Sequence, residues 1–239
     1  MIDPVDDKHI LTGLDAHFSY QIHQIGTEKQ PLIIIDHYLA EADKLIDFAL
    51  QQNNVLPASG MYPGLRSPVP NAYKNLVLEQ LAPLICQTFS LTPDAIKKVD
   101  SYYSLVATPV EQLQPAQRIP HFDQPNPDEI AMLHYLCGEQ HGGTSFYRHR
   151  QSRYEYIDTG RAKDYFGQLD AEVARYGMPQ GYIDGDTELF ERIVSVPAKF
   201  NRLLIYRCSS LHSGDIGADY PFDMDPTTGR FTIASFLHA

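Results

Sequence analysis

From residue 99 to the C-terminus the sequence is a series of short apolar runs, and that series most restricts what the chain can fold into. The runs are Ser101–Ala107 (SYYSLVA), Ile130–Leu136 (IAMLHYL), Thr144–Tyr147, Val194–Val196, Arg202–Arg207 and Arg230–Leu237. Stretches of this length, rich in β-branched and aromatic residues and bounded by turn residues, form strands. Gly142-Gly143 marks a tight turn, and His121–Asp123 is expected to open a strand after the Pro- and Gln-rich connection 108–119. Short antiparallel strands need their edges hidden, and a jelly roll or related barrel does this. The series is interrupted once, at 148–195. There Ala162, Tyr165, Phe166, Leu169 and Val173 have helical spacing within Arg161–Tyr176, and Thr187–Val194 is read as a second helical piece.

The first third reads differently. Residues 1 to about 15 are a polar, acidic arm. Phe18, Tyr20 and Ile22 alternate with Ser19, Gln21 and His23, which predicts a half-buried strand. A turn at Gly26–Lys29 leads to a second strand at Leu32–Ile35, giving a hairpin. Leu39, Ala42, Leu45, Ile46, Ala49 and Leu50 fall at helical spacing and predict a helix over 40–52. Residues 53–70, with prolines at 57, 63, 68 and 70, are expected to be a long loop of the kind that serves binding, with Tyr62 and Arg66 as candidate substrate contacts. Asn71 can cap a further helix to about Phe89, kinked at Pro83. The fold class expected is mainly β with packed helices (α+β). A single domain spans 1–239: an arm and first strand (1–30), a strand-helix support (31–98), and a β core (99–239) holding the insertion 148–195.

Composition narrows function by exclusion. A formal charge of -11, from 30 acidic and 19 basic residues, lacks the basic footprint of nucleic-acid binding. Cys86, Cys137 and Cys208 are odd in number and widely spaced, which fits reduced, buried thiols rather than a disulfide frame or thiolate zinc site. The N-terminus carries no apolar leader, and Pro31–Ile35 is too short to cross a bilayer. A cytoplasmic location without membrane or nucleic-acid partners is the expectation.

The chemistry-bearing stretch is Pro120-His121-Phe122-Asp123. On an extended chain residues two apart share a face, so His121 and Asp123 can reach one point. A His-x-Asp pair among ten histidines is weak by itself and also fits a surface ion pair. Two later features follow in order: His212, just past the apolar run RLLIYR, and Arg230, which opens the last strand and shares a face with Thr232 and Ala234. Two imidazoles and a carboxylate form a facial ligand set that leaves other metal positions open.

From about residue 31 onward the pieces PLIIIDHYLAEAD, PHFD, LHYLCGEQHGGTSFY, VPAKFNRLLIYRCSSLHSG and GRFTIASF resemble the Fe(II)/2-oxoglutarate-dependent oxygenases, in particular their prolyl-4-hydroxylase-like branch. HGGTSFY is similar to that family's glycine turn between two core strands, one residue tighter. The resemblance implies a double-stranded β-helix (jelly roll, cupin-like) core. It implies His121, Asp123 and His212 as catalytic ligands of Fe(II), and Arg230 as the grip on the distal carboxylate of 2-oxoglutarate. Thr232 would add a hydroxyl, and Tyr103, Ser104 or Tyr135 would help hold the cosubstrate. The implied activity is C–H hydroxylation of an amino-acid-like, peptide or small-molecule substrate, with O2 consumed and 2-oxoglutarate converted to succinate. Because Asp123 is present, hydroxylation is favoured over halogenation, whose enzymes replace that carboxylate.

The chain departs from the family pattern in two places. Arg230 stands well beyond His212, across IGADYPFDMDPTTG, so Lys199, Arg202 and Arg207 are rival carboxylate anchors. The insertion 148–195 is long, and its Arg148, Arg150, Arg153, Tyr154 and Tyr156 are candidates to line a substrate cleft. Two other readings stay open: a cupin-like metal enzyme that does not use 2-oxoglutarate, and a non-catalytic barrel that binds a ligand.

Overall fold

The computed structural model describes residues 10–51, 56–57 and 62–239, with the backbone alone for Leu56–Pro57. The arm up to residue 9 and residues 52–55 and 58–61 of the proline-rich loop lie outside the described residues. In chain order the elements are β1 (Ser19–Ile25), β2 (Gln30–Asp36), α1 (Asp43–Leu50), β3 (Leu56–Pro57), β4 (Gly64–Pro68), α2 (Asn71–Leu76), α3 (Ala82–Phe89) and β5 (Lys98–Val106). There follow β6 (Ile130–Tyr135), β7 (Gly143–His149), α4 (Ala162–Tyr176), β8 (Phe190–Pro197), β9 (Leu203–Arg207), β10 (His212–Asp215) and β11 (Phe231–His238).

Two antiparallel sheets result. The larger has eight strands in the order β1-β2-β9-β6-β11-β5-β4-β3, and the smaller has three, β10-β7-β8. Strand alternation gives each a sidedness. On β11, Phe231, Ile233 and Leu237 enter the main core with Leu45, Tyr73, Val77, Ile85 and other residues of α1 to α3. On the other face of the large sheet, Ala131, Tyr135, Leu204 and Tyr206 meet Phe146 and Val196 of the small sheet. The outer side of the small sheet buries Tyr147 and Phe190 against Tyr165 and Leu169 of α4. Helices, large sheet, small sheet and α4 thus stack as layers, and the interior between the two sheets is where a ligand can sit.

Five local readings are corrected. First, the half-buried strand predicted around Tyr20 is exposed at every residue of β1 except Ile25. It is the outermost strand of its sheet, beyond the cover of helices or small sheet, so alternation there has no core to face. Second, the loop predicted over 53–70 contains β4, which pairs with β5 and puts Arg66 opposite Ser104. Its prolines sit at the ends of strands near the sheet edge, where a missing N–H costs no rung. Third, Thr187–Val194 is not helical. Phe190–Pro197 is strand β8, whose register against β7 jumps from Phe146↔Val194 to Tyr147↔Arg192. The bulged Ile193 breaks period-2 alternation, so Leu189, Phe190, Ile193 and Val194 mimic helical spacing. Fourth, His121–Asp123 opens no regular strand. His121 makes one isolated bridge, to His212, and Pro120, Pro125 and Pro127 deny the segment further rungs. Fifth, Thr144–Tyr147 lengthens to the seven residues of β7, and β10, unforeseen, pairs with it.

The kink expected at Pro83 is accommodated by one π-helical turn, Val77–Leu81, joining α2 to α3. A proline offers no N–H to the preceding turn, and a π turn absorbs the mismatch. The three cysteines are buried and free of disulfides. Among the described residues no helix is long and apolar enough to cross a membrane.

Candidate metal centre and its cavity

The isolated bridge at His121 builds the centre. His121 N–H donates to the carbonyl of His212 at 2.9 Å, and His212 N–H returns the bond at 2.9 Å. A directly opposed antiparallel pair brings its side chains together, and the two imidazole centroids lie 4.4 Å apart. Two residues on, Asp123 N–H donates to the Cys208 carbonyl at 2.8 Å. This fixes Asp123 on the same side as His121. Its carboxylate stands 3.8 Å from His121 Nε2 and 3.7 Å from His212 Nε2. One donor atom from each of the three lies within 4.8 Å of the others, a set that can hold a metal ion.

Protonation favours that use. His212 Nδ1 lies 2.9 Å from the Ser210 carbonyl. A carbonyl only accepts, so Nδ1 carries the hydrogen and Nε2 offers its lone pair towards Asp123. His121 is held well below the usual histidine range by burial, then by His212 and Arg66, and so stands neutral. Burial raises Asp123, while His212 and Arg66 pull it down. A carboxylate whose charged form is disfavoured by burial is one that a cation stabilises.

The three residues border a cavity of about 110 Å³ between the sheets. Its inner end holds Arg230, with Thr144, Ser213 and Gly214. Arg230 is 3% exposed. One Nη donates to the Gly143 carbonyl at 2.7 Å, and the guanidinium carbon lies 5.7 Å from the Tyr135 ring centre. Its Nε is buried with no partner, and among the described residues no carboxylate is within ion-pair distance of it. A buried, unpaired guanidinium costs several kcal/mol, so an anion that reaches it is strongly favoured. Gly214 permits the approach: a Cβ there would stand 3.3 Å from the guanidinium. The long loop before β11 folds back, and Tyr220 Oη accepts the Arg230 N–H at 2.7 Å, which pins the residue at the strand entrance. At Gly142 (φ +83°) a Cβ would strike the Asp215 carbonyl at 1.8 Å, so the turn into β7 requires glycine.

The rival basic residues are committed elsewhere. Arg202 makes a two-pronged pair with Asp36 at 2.7 and 3.0 Å, and Lys199 reaches the same carboxylate at 3.3 Å. Arg207 donates to the carbonyls of Phe89, at 2.8 Å, and Pro127. Thr232 faces the interior beside Tyr135 and Ser104, but its hydroxyl goes to the Ser104 carbonyl at 3.3 Å. Tyr135 is buried behind Arg230, with its hydroxyl 2.6 Å from that of Thr144. Tyr103 is not brought to the cavity. Its odd register on β5 points it to the helix side, where it stacks on Phe231 at 5.2 Å and donates to the Leu45 carbonyl at 2.7 Å.

The insertion also differs from expectation. Arg148 is buried in a salt bridge to Glu155, with a second to Glu191 at 2.9 Å; Glu155 in turn accepts from the N–H groups of Thr27 and Glu28, each at 2.9 Å. Arg150 and Arg153 pair with Asp186 and Glu191, Tyr154 bonds Asp164, and Tyr156 lies under the Arg161 guanidinium at 4.0 Å. This cluster fastens the insertion to the β1–β2 turn. The insertion residue that borders the cavity is Tyr182. Thr144, Ser213 and Tyr206 border it too and were not foreseen. For Thr144 the signal available was strand parity, since it pairs with Gly214 and shares a face with His212, readable once β10 and its partner were known; for Ser213 and Tyr206 there was none.

Among curated proteins the sequence has no match. Solved structures of loosely similar shape include an N-substituted L-amino acid dioxygenase from Burkholderia ambifaria AMMD (11% identity, TM-score 0.43, covering 92% of this chain and 94% of that one). EvdMO1 is similar at 13% identity and TM-score 0.40, over 92% of this chain and 55% of that one. The non-heme iron oxygenase OrfP is similar at 10% identity and TM-score 0.31, over 83% and 78%. Likeness at this level is weak, and what the centre can do follows from its own residues. Sequence kinship is firmer, since residues 16–237 match a single family model. The chain therefore belongs to DUF6445, a family of unknown function.

Proposed function

We propose that this protein is an Fe(II)- and 2-oxoglutarate-dependent dioxygenase of the prolyl-4-hydroxylase-like branch, built on a double-stranded β-helix, that hydroxylates a C–H bond of a small-molecule or peptide substrate. One observation carries the reading: a His-Asp-His set and an unpaired buried guanidinium line the same cavity. The donor set fits Fe(II), since neutral imidazole and carboxylate suit that ion and a facial arrangement leaves positions free. His121, Asp123 and His212 would hold it, and bound Fe(II) with 2-oxoglutarate and O2 supplies oxidative hydroxylation with release of succinate and CO2.

The chain's own residues supply placement. Ser210 fixes the His212 tautomer, and the His121–His212 bridge sets the spacing of both rings. Arg230 receives the distal carboxylate of 2-oxoglutarate through its planar fork, whose charge does not titrate. Thr144, which borders the same cavity on the face of Phe146 and His212, has a hydroxyl suited to accompany it. Tyr135 and Tyr206 exclude water around the fork. A cupin-like enzyme without 2-oxoglutarate, or a binding barrel, gives Arg230 no task that repays its desolvation.

The deciding experiment is anaerobic addition of Fe(II) and then 2-oxoglutarate to the folded protein. A weak visible charge-transfer band is expected. Its absence, with metal bound and the fold intact, overturns the 2-oxoglutarate reading.

A further inference from the structure

The metal-ligand set has a second side. Beyond His121 and Asp123 the cavity passes into an outer cleft of about 440 Å³, with Tyr62, Pro63, Arg66 and Phe236 bordering both spaces. Arg66 stands on β4 opposite Ser104, and so points inward from the sheet edge. Its guanidinium carbon lies 4.8 Å from the Tyr62 ring centre, 5.6 Å from Tyr102 and 6.0 Å from Phe236. These rings hold the fork in place but give its N–H groups no acceptor. Arg66 Nε is buried without a hydrogen-bond partner, and so is the Tyr62 hydroxyl beside it. Among the described residues no carboxylate is within ion-pair distance of Arg66; the acidic residues of the outer cleft are occupied. Asp100 pairs with Lys98 at 2.5 Å and His238 at 3.0 Å, and Glu129 with His238 at 2.8 Å.

We infer that Arg66, with the Tyr62 hydroxyl, is the anchor for a carboxylate of the substrate, so that the substrate is a small organic acid with an apolar body lying against Phe236 and Tyr102. This rests on the proposed dioxygenase reading. Two cations then serve two anions: Arg230 the cosubstrate, and Arg66, which also borders the outer cleft, the substrate. A single guanidinium matches one planar carboxylate; a phosphate dianion calls for more donors than Arg66 and Tyr62 provide. The three rings favour an apolar neighbour to that carboxylate and disfavour a highly hydrated one.

The test uses Mn(II)-loaded protein with saturating 2-oxoglutarate and calorimetric titration of three acids: L-phenylalanine, L-leucine and 3-phenylpropanoate. Each is paired with its primary amide. Acid is expected to bind at least about tenfold tighter than amide (about 1.4 kcal/mol). Arg66→Gln is expected to erase that preference while keeping the Fe(II)–2-oxoglutarate band. Equal binding of acid and amide, or an Arg66→Gln protein that keeps the preference, overturns the inference. An Arg66→Gln protein that loses the band also overturns it, by making Arg66 the cosubstrate's anchor. A wild-type protein that shows no band but still prefers acids through Arg66 sinks the dioxygenase reading and leaves the anion site standing.

Discussion

Replacing Arg230 by methionine separates a ligand anchor from a structural arginine. The side chain is 3% exposed, its contacts are the Gly143 carbonyl and the Tyr135 face, and it has no anionic partner. Two opposed effects act in the ligand-free protein. The change leaves the Gly143 carbonyl without its donor, costing about 1–3 kcal/mol. It also removes an uncompensated buried charge, a relief of several kcal/mol offset by imperfect refilling. The net stability change is expected to stay within about 1–2 kcal/mol, a shift of a few degrees in Tm for a chain of this size. Binding behaves otherwise. Loss of a two-pronged, charge-assisted contact to a desolvated carboxylate costs about 3 kcal/mol, roughly a hundredfold in 2-oxoglutarate affinity. At a ligand concentration near 100 times the wild-type Kd, the wild type gains about 2.7 kcal/mol of stability, and Arg230→Met loses most of that gain. The assay is a thermal scan of Mn(II)-loaded protein with and without 2-oxoglutarate, alongside calorimetric Kd values. Two results refute the reasoning: a variant that binds 2-oxoglutarate within about threefold of wild type, or a ligand-free variant destabilised beyond about 3 kcal/mol, as a structural cation would be.

Three further expectations follow from the same geometry. His121→Ala and Asp123→Ala should abolish Mn(II) binding, read by electron paramagnetic resonance, while far-ultraviolet dichroism stays that of the wild type; unchanged metal affinity removes them from the ligand set. Tyr103→Phe should lower stability by about 1 kcal/mol through the lost bond to Leu45 and leave 2-oxoglutarate affinity unaltered, because the residue faces the helices. His134 is fully buried, held between Asn201 Oδ1 at 3.1 Å and the stacked Tyr73 ring, and burial lowers its pKa from 6.5 to about 4. The unfolded chain binds that proton between pH 6.5 and 4 and the folded one does not, so stability falls as pH drops through this window. The slope should be about 1.4 kcal/mol per pH unit, and denaturant titrations of His134→Asn should show a shallower slope; an unchanged one would contradict the assignment.

Much of the architecture was legible in the residues because period and length are local properties. The hairpin of β1 and β2, the helix around Leu45, the strands around Leu133, Leu204 and Ile233, and α4 all announced themselves through spacing. The failures have physical causes. β8 was hidden by a bulge at Ile193, which shifts alternation by one and copies a helical pattern. β4, next to the edge strand β3, was hidden by prolines that stand at or beyond its ends and cost it no rung. β10 reads HSGD, without a β-branched or aromatic residue, and is a strand because β7 offers it rungs. The insertion's arginines looked like a basic cleft because their partners, Glu155, Glu191 and Asp186, are joined to them by folding and not by proximity to the cavity.

The sequence by itself determined the chemistry available: which residues can ligate a metal, that Asp123 is a carboxylate, and that a strand-rich second half could carry them. Those are properties of side chains and of short-range spacing. Tertiary structure decided which of four basic residues lines the cavity with a buried N–H left unpartnered, that Tyr103 faces the wrong side of its strand, and that Arg66 of β4 borders the same cavity as His121 and Asp123. Those depend on pairing between segments far apart in the chain, where register sets every side chain's face and desolvation sets every charge's need for a partner. No local pattern encodes either.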